Sequence, residues 1–442
     1  MKAVFITPEK TDWGFEPVMW LRSQEMIRAL EGLGVEVCPI DVKAFGQEWA
    51  ADLAIVKKFR DHFVIAPNFN YFLQGAANTI ELLDILEKPI VALWDDPLGA
   101  LANFLNGQSR FAQSVIKIAK RIRLEILKDF AGSIADKMDN RVRRFRRVMG
   151  HPLLRHLSWD SGHIEAVDSL KLVERRKVTW FPIFTYSAFL KTGMRSNGTR
   201  YKWDVGFCGN LYLAMLRESR FAKDEPLRGL AAKIAAYKLQ SLNTPVWNLM
   251  MREIAILPPE IRKQYGLYTN RMSFWNYYLY VVWYATNTWV RLGVLAKVNR
   301  DVALHGLFAD PQTPGMLKEY PNLKYEGSAH NFDGLPQIYA STRINLCVSN
   351  TLIHQGMPSK LIECLASGGF ALCDPKEDLV RFFGPVVENI FFRSTEELNH
   401  KIDYYLAHEK ERHDIVNELG SKLRQHCTLE AFCRRVVDCV SQ

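Results

Sequence analysis

The 442-residue chain has no Cys-x-x-Cys pair, no Asp-x-Asp cluster placed after a strand, no short-period repeat and no low-complexity tract. Its eight cysteines stand apart at 38, 208, 347, 364, 373, 427, 433 and 439, several of them inside apolar runs. A reduced thiol in such a run acts as a small hydrophobe, so neither a disulfide framework nor a structural zinc site is expected. The missing Asp-x-Asp removes the usual carboxylate pair for a divalent cation, and no metal is expected. No secretory leader is expected either. "MKAVFITPEK" offers too few apolar residues before Thr7 for a signal core and reads as a first strand. The expected location is therefore cytoplasmic.

Charge is scarce in one place. "SFWNYYLYVVWYATNTWV", residues 273 to 290, runs 18 residues without a charged side chain, although Asn276 and Asn287 interrupt it. A spanning helix takes roughly 20 predominantly apolar residues, so this segment is expected to pack against a sheet. Contact with a membrane interface, where Trp and Tyr favour headgroup depth, and a true span are the alternatives.

Apolar residues make up 48% of the chain and charged ones 24%, enough to pack two domains, and the length exceeds what one core usually serves. The net charge of +9 is concentrated. Residues 110 to 155 hold 13 lysines and arginines against four acids, an excess equal to that of the whole chain. A helical basic face of this kind suits the headgroups of an anionic membrane, giving peripheral attachment at its inner face; a phosphorylated acceptor; or nucleic acid. It also suits a plain solvated surface. A nucleic-acid role is the weakest of these readings, and no nucleic acid is expected as a partner.

Strand-like runs at 2 to 7, 35 to 40, 62 to 67, 89 to 96, 155 to 160 and 177 to 184 alternate with helical patterns near 17 to 33 and 77 to 87. After "KTGMRSNGTR" (191 to 200) the scheme repeats, with strands at 203 to 210, 301 to 306, 323 to 327, 343 to 349 and 370 to 374 around a mostly helical insertion at 211 to 300. Alternation of this kind implies parallel sheets covered by helices. The fold class is α/β with two Rossmann-like domains. The expected division is 1–195, 200–418 and a terminal helix pair at 419–442 that packs back on the first domain.

"HQGMPSKLIECLASGG", residues 354 to 369, places Lys360 in the first turn of a helix and Glu363 after it, against the preference of the helix dipole. Pro358 and Ser359 open that helix and Gly368 with Gly369 end it. A bound phosphate at the amino end would match both the free N–H groups and Lys360. Glu363 could then accept from a ribose diol. The alternative is a surface helix with a weak Lys360–Glu363 pair.

The pattern Gly356, Pro358, Lys360, Glu363, Ala366, Gly368 resembles the donor-binding signature of group 1 (family 4-like) glycosyltransferases of the GT-B fold. The likeness is greatest to the spore-maturation-protein (CgeB)-like branch. It extends through "VGFCGN" at 205 to 210 and over much of 301 to 435, with fainter echoes in "VALWDDP" and "HLSWDSGHIEAV". The resemblance implies two domains facing across a cleft, the acceptor mainly against the first and the donor in the second. It implies a hexosyltransferase that carries a sugar from a nucleoside-diphosphate sugar to a glycan, lipid-linked or protein acceptor in polysaccharide biosynthesis, with retention; the missing Asp-x-Asp leaves that transfer without metal. The donor is a substrate, and no cofactor is expected.

Candidate donor-binding residues are Gly209, Asn210, Gly356, Ser359, Lys360 and Glu363, with Arg217 or Arg220 as a second cation. Where relatives carry a Glu pair eight apart, this chain has Gln355, which cannot act as a base. Gln355, its neighbour His354 and the cleft-end Asp95 are the catalytic candidates; His305, at a strand end, and His330, in a loop, are further histidines. A non-catalytic nucleotide-sugar or glycan-binding module of the same fold is the alternative function.

Overall fold

The computed structural model describes residues 1–7, 16–41, 59, 61–66, 88–94, 147–195, 201–306, 315, 317–328 and 334–441. Continuous apolar runs such as "AVFI" and "FVIA" become strands buried on both faces, as parallel sheets require. Strands β1 (Lys2–Thr7), β2 (Glu36–Asp41), β3 (Phe63–Ala66), β4 (Ile90–Trp94), β5 (Leu154–Ser158) and β6 (Val178–Trp180) form one sheet in the order β2-β1-β3-β4-β5-β6. Strands β7 (Trp203–Cys208), β8 (Val302–His305), β9 (Leu323–Gly327), β10 (Thr342–Cys347) and β11 (Ala371–Cys373) form a second, ordered β11-β10-β7-β8-β9. Every pairing in both sheets is parallel.

Helices α1 (Glu16–Gly32), α2 (Ser161–Ser169) and α3 (Ser187–Arg195) belong to the first half. Between β7 and β8 lie α4 (Leu213–Glu218), α5 (Glu225–Gln240), α6 (Val246–Ile256), α7 (Pro259–Tyr265), α8 (Met272–Leu279) and α9 (Asn287–Leu295). The remainder are α10 (Leu335–Ala340), α11 (Ser359–Ala366), α12 (Glu377–Phe383), α13 (Thr395–Ala407), α14 (Glu409–His426) and α15 (Leu429–Ser441). The fold is thus two parallel-sheet α/β units with a helical insertion in the second.

The uncharged run becomes α8, a π-helical turn over Tyr280–Thr286, and α9. Trp275, Tyr277, Tyr278 and Tyr280 are almost wholly buried and share an apolar core with Val4, Ile6 and Val64 of the first sheet. Among the described residues no helix is long and apolar enough to cross a membrane. The strand expected at 177 to 184 stops at Trp180. Pro182 has no N–H to give a ladder, and Thr185 donates its N–H to the Cys427 carbonyl (2.8 Å) instead. Of the basic stretch at 110 to 155, residues 110 to 146 lie outside the described residues, as does the helical pattern at 77 to 87.

The final helix crosses to the first half. Phe432 of α15 stacks on Phe184 (4.4 Å, 26°) and leans on Phe181 (5.2 Å), while the Cys433 thiol donates to the Met26 carbonyl of α1. Phe432 is 2% exposed. Phe432→Ala is expected to destabilise the protein by about 3–5 kcal/mol, the usual range for emptying a buried aromatic site. Chemical denaturation followed by intrinsic fluorescence measures the loss; a change below about 1 kcal/mol would show that α15 is not a structural part of the first half.

Candidate functional site at the inter-domain cleft

The order of the second sheet reverses between β7 and β10, and in open α/β sheets ligands bind outside the carboxyl ends of the strands at such a point. A cavity of about 450 Å³ lies there. Cys208, Gly209 and Asn210 border it from the end of β7, and Cys347, Val348 and Ser349 from the end of β10. The opposite wall comes from the first half: Arg22 of α1, Leu93 of β4, and Trp159, Phe184 and Tyr186.

Helix α11 points its amino end into this cavity. Leu361, Ile362, Cys364 and Leu365, spaced for one helical face, are fully buried and anchor it. Gly368, at φ +79°, takes the left-handed turn that ends it. Pro358 is the N-cap residue and supplies no side-chain cap. The amides of Leu361 and Ile362 turn back onto the Pro358 carbonyl, so those of Ser359 and Lys360 have no acceptor within the helix. Pro358, Ser359, Lys360 and Glu363 all border the cavity.

Lys360 Nζ donates to the Cys208 carbonyl (2.8 Å) and lies over the Phe207 ring (5.6 Å). Gly209 makes room for it, since a Cβ at that position would stand 2.3 Å from Nζ. Burial, helped by the nearby Arg291 guanidinium, lowers the Lys360 pKa to about 8. Arg291 itself is buried and joins both strand ends: Nη1 donates to the Asn210 carbonyl (2.8 Å) and Nε to that of Val348 (3.2 Å). Arg22 Nη2 reaches Glu363 Oε1 at 3.3 Å from across the cleft. Burial raises the Glu363 carboxyl above its ordinary value, with Arg22 and Lys360 opposing.

Behind this wall a second constellation joins the halves. Asp160, the N-cap of α2, accepts from the N–H groups of Gly162 (2.9 Å) and His163 (3.3 Å) in its own helix. The same carboxylate accepts from His354 N–H (2.7 Å) and Gln355 N–H (2.9 Å) in the loop before α11. Burial works against the charge, but His163, His354 and the loop amides hold the Asp160 carboxyl below its ordinary value. Gly356 and Gly162 permit the approach, because a Cβ on Gly356 would lie 2.7 Å from Asp160 Cβ and one on Gly162 2.5 Å from His354 Cβ. Asp374 accepts from Ser349 N–H (2.7 Å) and pairs with Lys376 (3.1 Å), whose Nζ also donates to the carbonyls of Ile353 and His354.

These contacts sort the residues singled out from the sequence. Gly209, Asn210, Ser359, Lys360 and Glu363 come together at the cavity. His354 and Gln355 do not border it. His354 is buried against His163 (4.6 Å), and burial pushes its pKa down to about 3, leaving it neutral. The Gln355 carbonyl accepts from Asp378 N–H (3.1 Å) at the start of α12. Gly356 packs against Asp160 and does not border the cavity. Arg217, on α4, is exposed and borders a separate recess with Tyr280 and Trp289. His305, buried at the end of β8, lies against Trp203 (4.7 Å) and accepts Gly209 N–H at its carbonyl. Asp95, His330 and the side chain of Arg220 lie outside the described residues. Among the described residues no three His, Cys, Asp or Glu side chains are grouped to hold a metal.

Three residues that build the site are not among those singled out from the sequence. Arg22 sits in an ordinary helix. Asp160 could have been read as a helix cap from its place between a strand and "SGHIEAV". Arg291 is the first charge after the 18-residue uncharged run, and that position was its available clue.

Residues 291–438, about a third of the chain, match a family described as glycosyl transferase-like. No curated protein matches. Two solved structures share the fold over nearly the whole chain. Sucrose-phosphate synthase from Thermosynechococcus elongatus is 9% identical with a TM-score of 0.53, covering 99% of this chain and 98% of its own. The β-glucosyltransferase of T4 phage is 10% identical with a TM-score of 0.50, covering both chains fully. Together with the two sheets, these place the chain in the GT-B fold.

Asp378 accepts Ser161 N–H across the halves (2.8 Å), and burial with Asp160 nearby raises its pKa to about 6 from 3.8. A raised carboxyl is unstrained while protonated, below about pH 4, and loses stability as the pH rises through 6. Asp378→Asn keeps an acceptor for Ser161 and removes the charge. It is expected to be more stable than wild type at pH 8, by up to about 3 kcal/mol, and equal to it at pH 4. Thermal denaturation at both pH values measures this, and an Asn variant less stable at pH 8 would contradict it.

Proposed function

We propose that this chain is a glycosyltransferase that takes a sugar from a nucleoside-diphosphate donor seated at the amino end of α11 and passes it to an acceptor on the wall formed by the first half. The observation that carries the reading is the meeting, at the switch point of the second sheet, of an uncapped helix amino end with Lys360 and Arg291, facing Arg22 across the cavity. The glycosyl transferase-like match spans α11, and T4 phage β-glucosyltransferase shares the fold.

The chemical demand in such a transfer is charge. As the bond to the anomeric carbon breaks, negative charge gathers on the departing diphosphate while the sugar becomes oxocarbenium-like. Lys360, the amides of Ser359 and Lys360 and the helix dipole offer donors fixed in a partly desolvated site, where they act more strongly than in water. Arg291 adds positive potential while its own donors hold the strand ends in place. Glu363, one turn along, faces the ribose. Retention comes from the family resemblance, toward the spore-maturation-protein-like branch, and transfer without metal from the missing Asp-x-Asp cluster; both form part of this proposal. On the acceptor side, Trp159, Phe184 and Tyr186 suit the apolar face of a sugar ring.

A panel of uridine, guanosine, adenosine and thymidine diphosphates, tested by calorimetry, is the first experiment. Lys360→Ala is expected to weaken the preferred diphosphate roughly 10- to 100-fold, the range for a charge-assisted contact, while leaving the unliganded melting temperature within a few degrees. In wild type, affinity should fall as the pH rises through about 8 and Lys360 loses its proton. Unchanged affinity in the variant, or a flat pH profile, would remove the diphosphate from this position. Donor sugars that bind but are never hydrolysed or transferred would favour a binding module over an enzyme.

A further inference from the structure

Arg22 joins the cavity from the first half, and its partner is the residue that a ribose needs. Its guanidinium meets Glu363 through one nitrogen at 3.3 Å, a single contact where arginine can make two. It lies over the Tyr186 ring at 5.0 Å, and its Nε is enclosed without a hydrogen-bond partner among the described residues. The arginine side chain is 25% exposed and the glutamate 8%. The pair thus rests on one contact, which leaves the other donors of the arginine open to a second acceptor.

The helices that carry the two groups are fixed relative to each other. One turn beyond Arg22, Glu25 accepts from the N–H (3.3 Å) and hydroxyl (3.3 Å) of Ser187, at the start of α3. Helix α3 in turn lies against α11 so closely that a Cβ on Gly193 would stand 2.2 Å from the Ala366 carbonyl oxygen. Helix α1 is also held from its other side by the Cys433 thiol. Any exchange of partners at Arg22 is therefore a movement of one side chain.

On the donor-site reading given above, we infer that Arg22 senses the donor: an incoming nucleoside diphosphate draws its guanidinium from Glu363 onto the phosphates and frees Glu363 for the ribose. A diphosphate carries more charge than one carboxylate and presents oxygens that arginine can bind through two parallel donors. Electrostatics thus favours the exchange once phosphates occupy the amino end of α11. The Arg22–Glu363 pair keeps both groups partnered while the site is empty.

The test compares wild type, Arg22→Ala and Arg22→Lys by calorimetry with the preferred diphosphate from the same panel, its monophosphate and its nucleoside. Arg22→Ala should weaken the diphosphate roughly 10- to 100-fold and the nucleoside less than threefold. Arg22→Lys should recover only part of the difference, since an ammonium lacks the two-donor geometry. A thermal double-mutant cycle with Glu363→Gln should show coupling between the two positions without ligand and none at saturating diphosphate. Equal losses for diphosphate and nucleoside, or coupling that persists when the site is full, would overturn the inference. Should Arg22→Ala fail to fold, the Lys variant and Arg22→Gln carry the same comparison. If wild type binds none of the diphosphates, the donor-site reading falls and takes this inference with it; diphosphate binding that is indifferent to Arg22 overturns the inference alone.

Discussion

One buried carboxylate sets the geometry of the cleft. Asp160 has no exposed surface and accepts four backbone N–H groups, two from its own helix and two from the loop that leads into α11. Taking a carboxylate out of water costs several kcal/mol, and only well-formed hydrogen bonds offset that. Hydrogen bonds to a charged group are worth about 1.5–3 kcal/mol each, so four together can. The residues around it are chosen for closeness: Gly162 and Gly356 both occupy places where any side chain would collide. Through this contact the first half of the chain holds the starting point of the helix that bears Lys360.

From that fixed point the electrostatics of the cavity follow. Helix α11 cannot withdraw its amino end without breaking the loop from Asp160, and the buried Asp374–Lys376 pair braces the same loop from beneath. Positive charge therefore gathers at one mouth: the helix end, Lys360 and Arg291, with Arg22 opposite. Lys360 holds its charge at some expense, as its lowered pKa records, and its present acceptor is a neutral carbonyl. An anion in the cavity would offer it a better partner. Such a site is organised before the ligand arrives, and that is what stabilising a departing diphosphate requires.

Much of the scaffold was legible in the sequence because its signals are local. Apolar runs marked the strands, and the alternation with helical patterns marked parallel sheets. The unusual order of Lys360 and Glu363, between Pro358 and Gly368, marked a helix end that faces the cavity. What escaped was everything that depends on distant partners. Asp160 and Gln355 are 195 residues apart, and neither has a neighbour in the sequence that names the other. Gly356 reads as a ligand contact when only its motif is visible, and as a packing contact once Asp160 stands against it. Similarly, Arg217 follows a strand end as a phosphate-binding arginine might, yet the course of α4 carries it to another recess, while Arg22 and Arg291 arrive from helices of ordinary appearance.

The most direct measurement is a crystal structure of the protein soaked with the nucleoside diphosphate it prefers. The account requires phosphate density at the amino end of α11, within hydrogen-bonding distance of Lys360 Nζ and of the Ser359 or Lys360 amide, with the loop still held by Asp160. Phosphates bound elsewhere, such as beside Arg217, with the mouth of α11 left vacant, would contradict it.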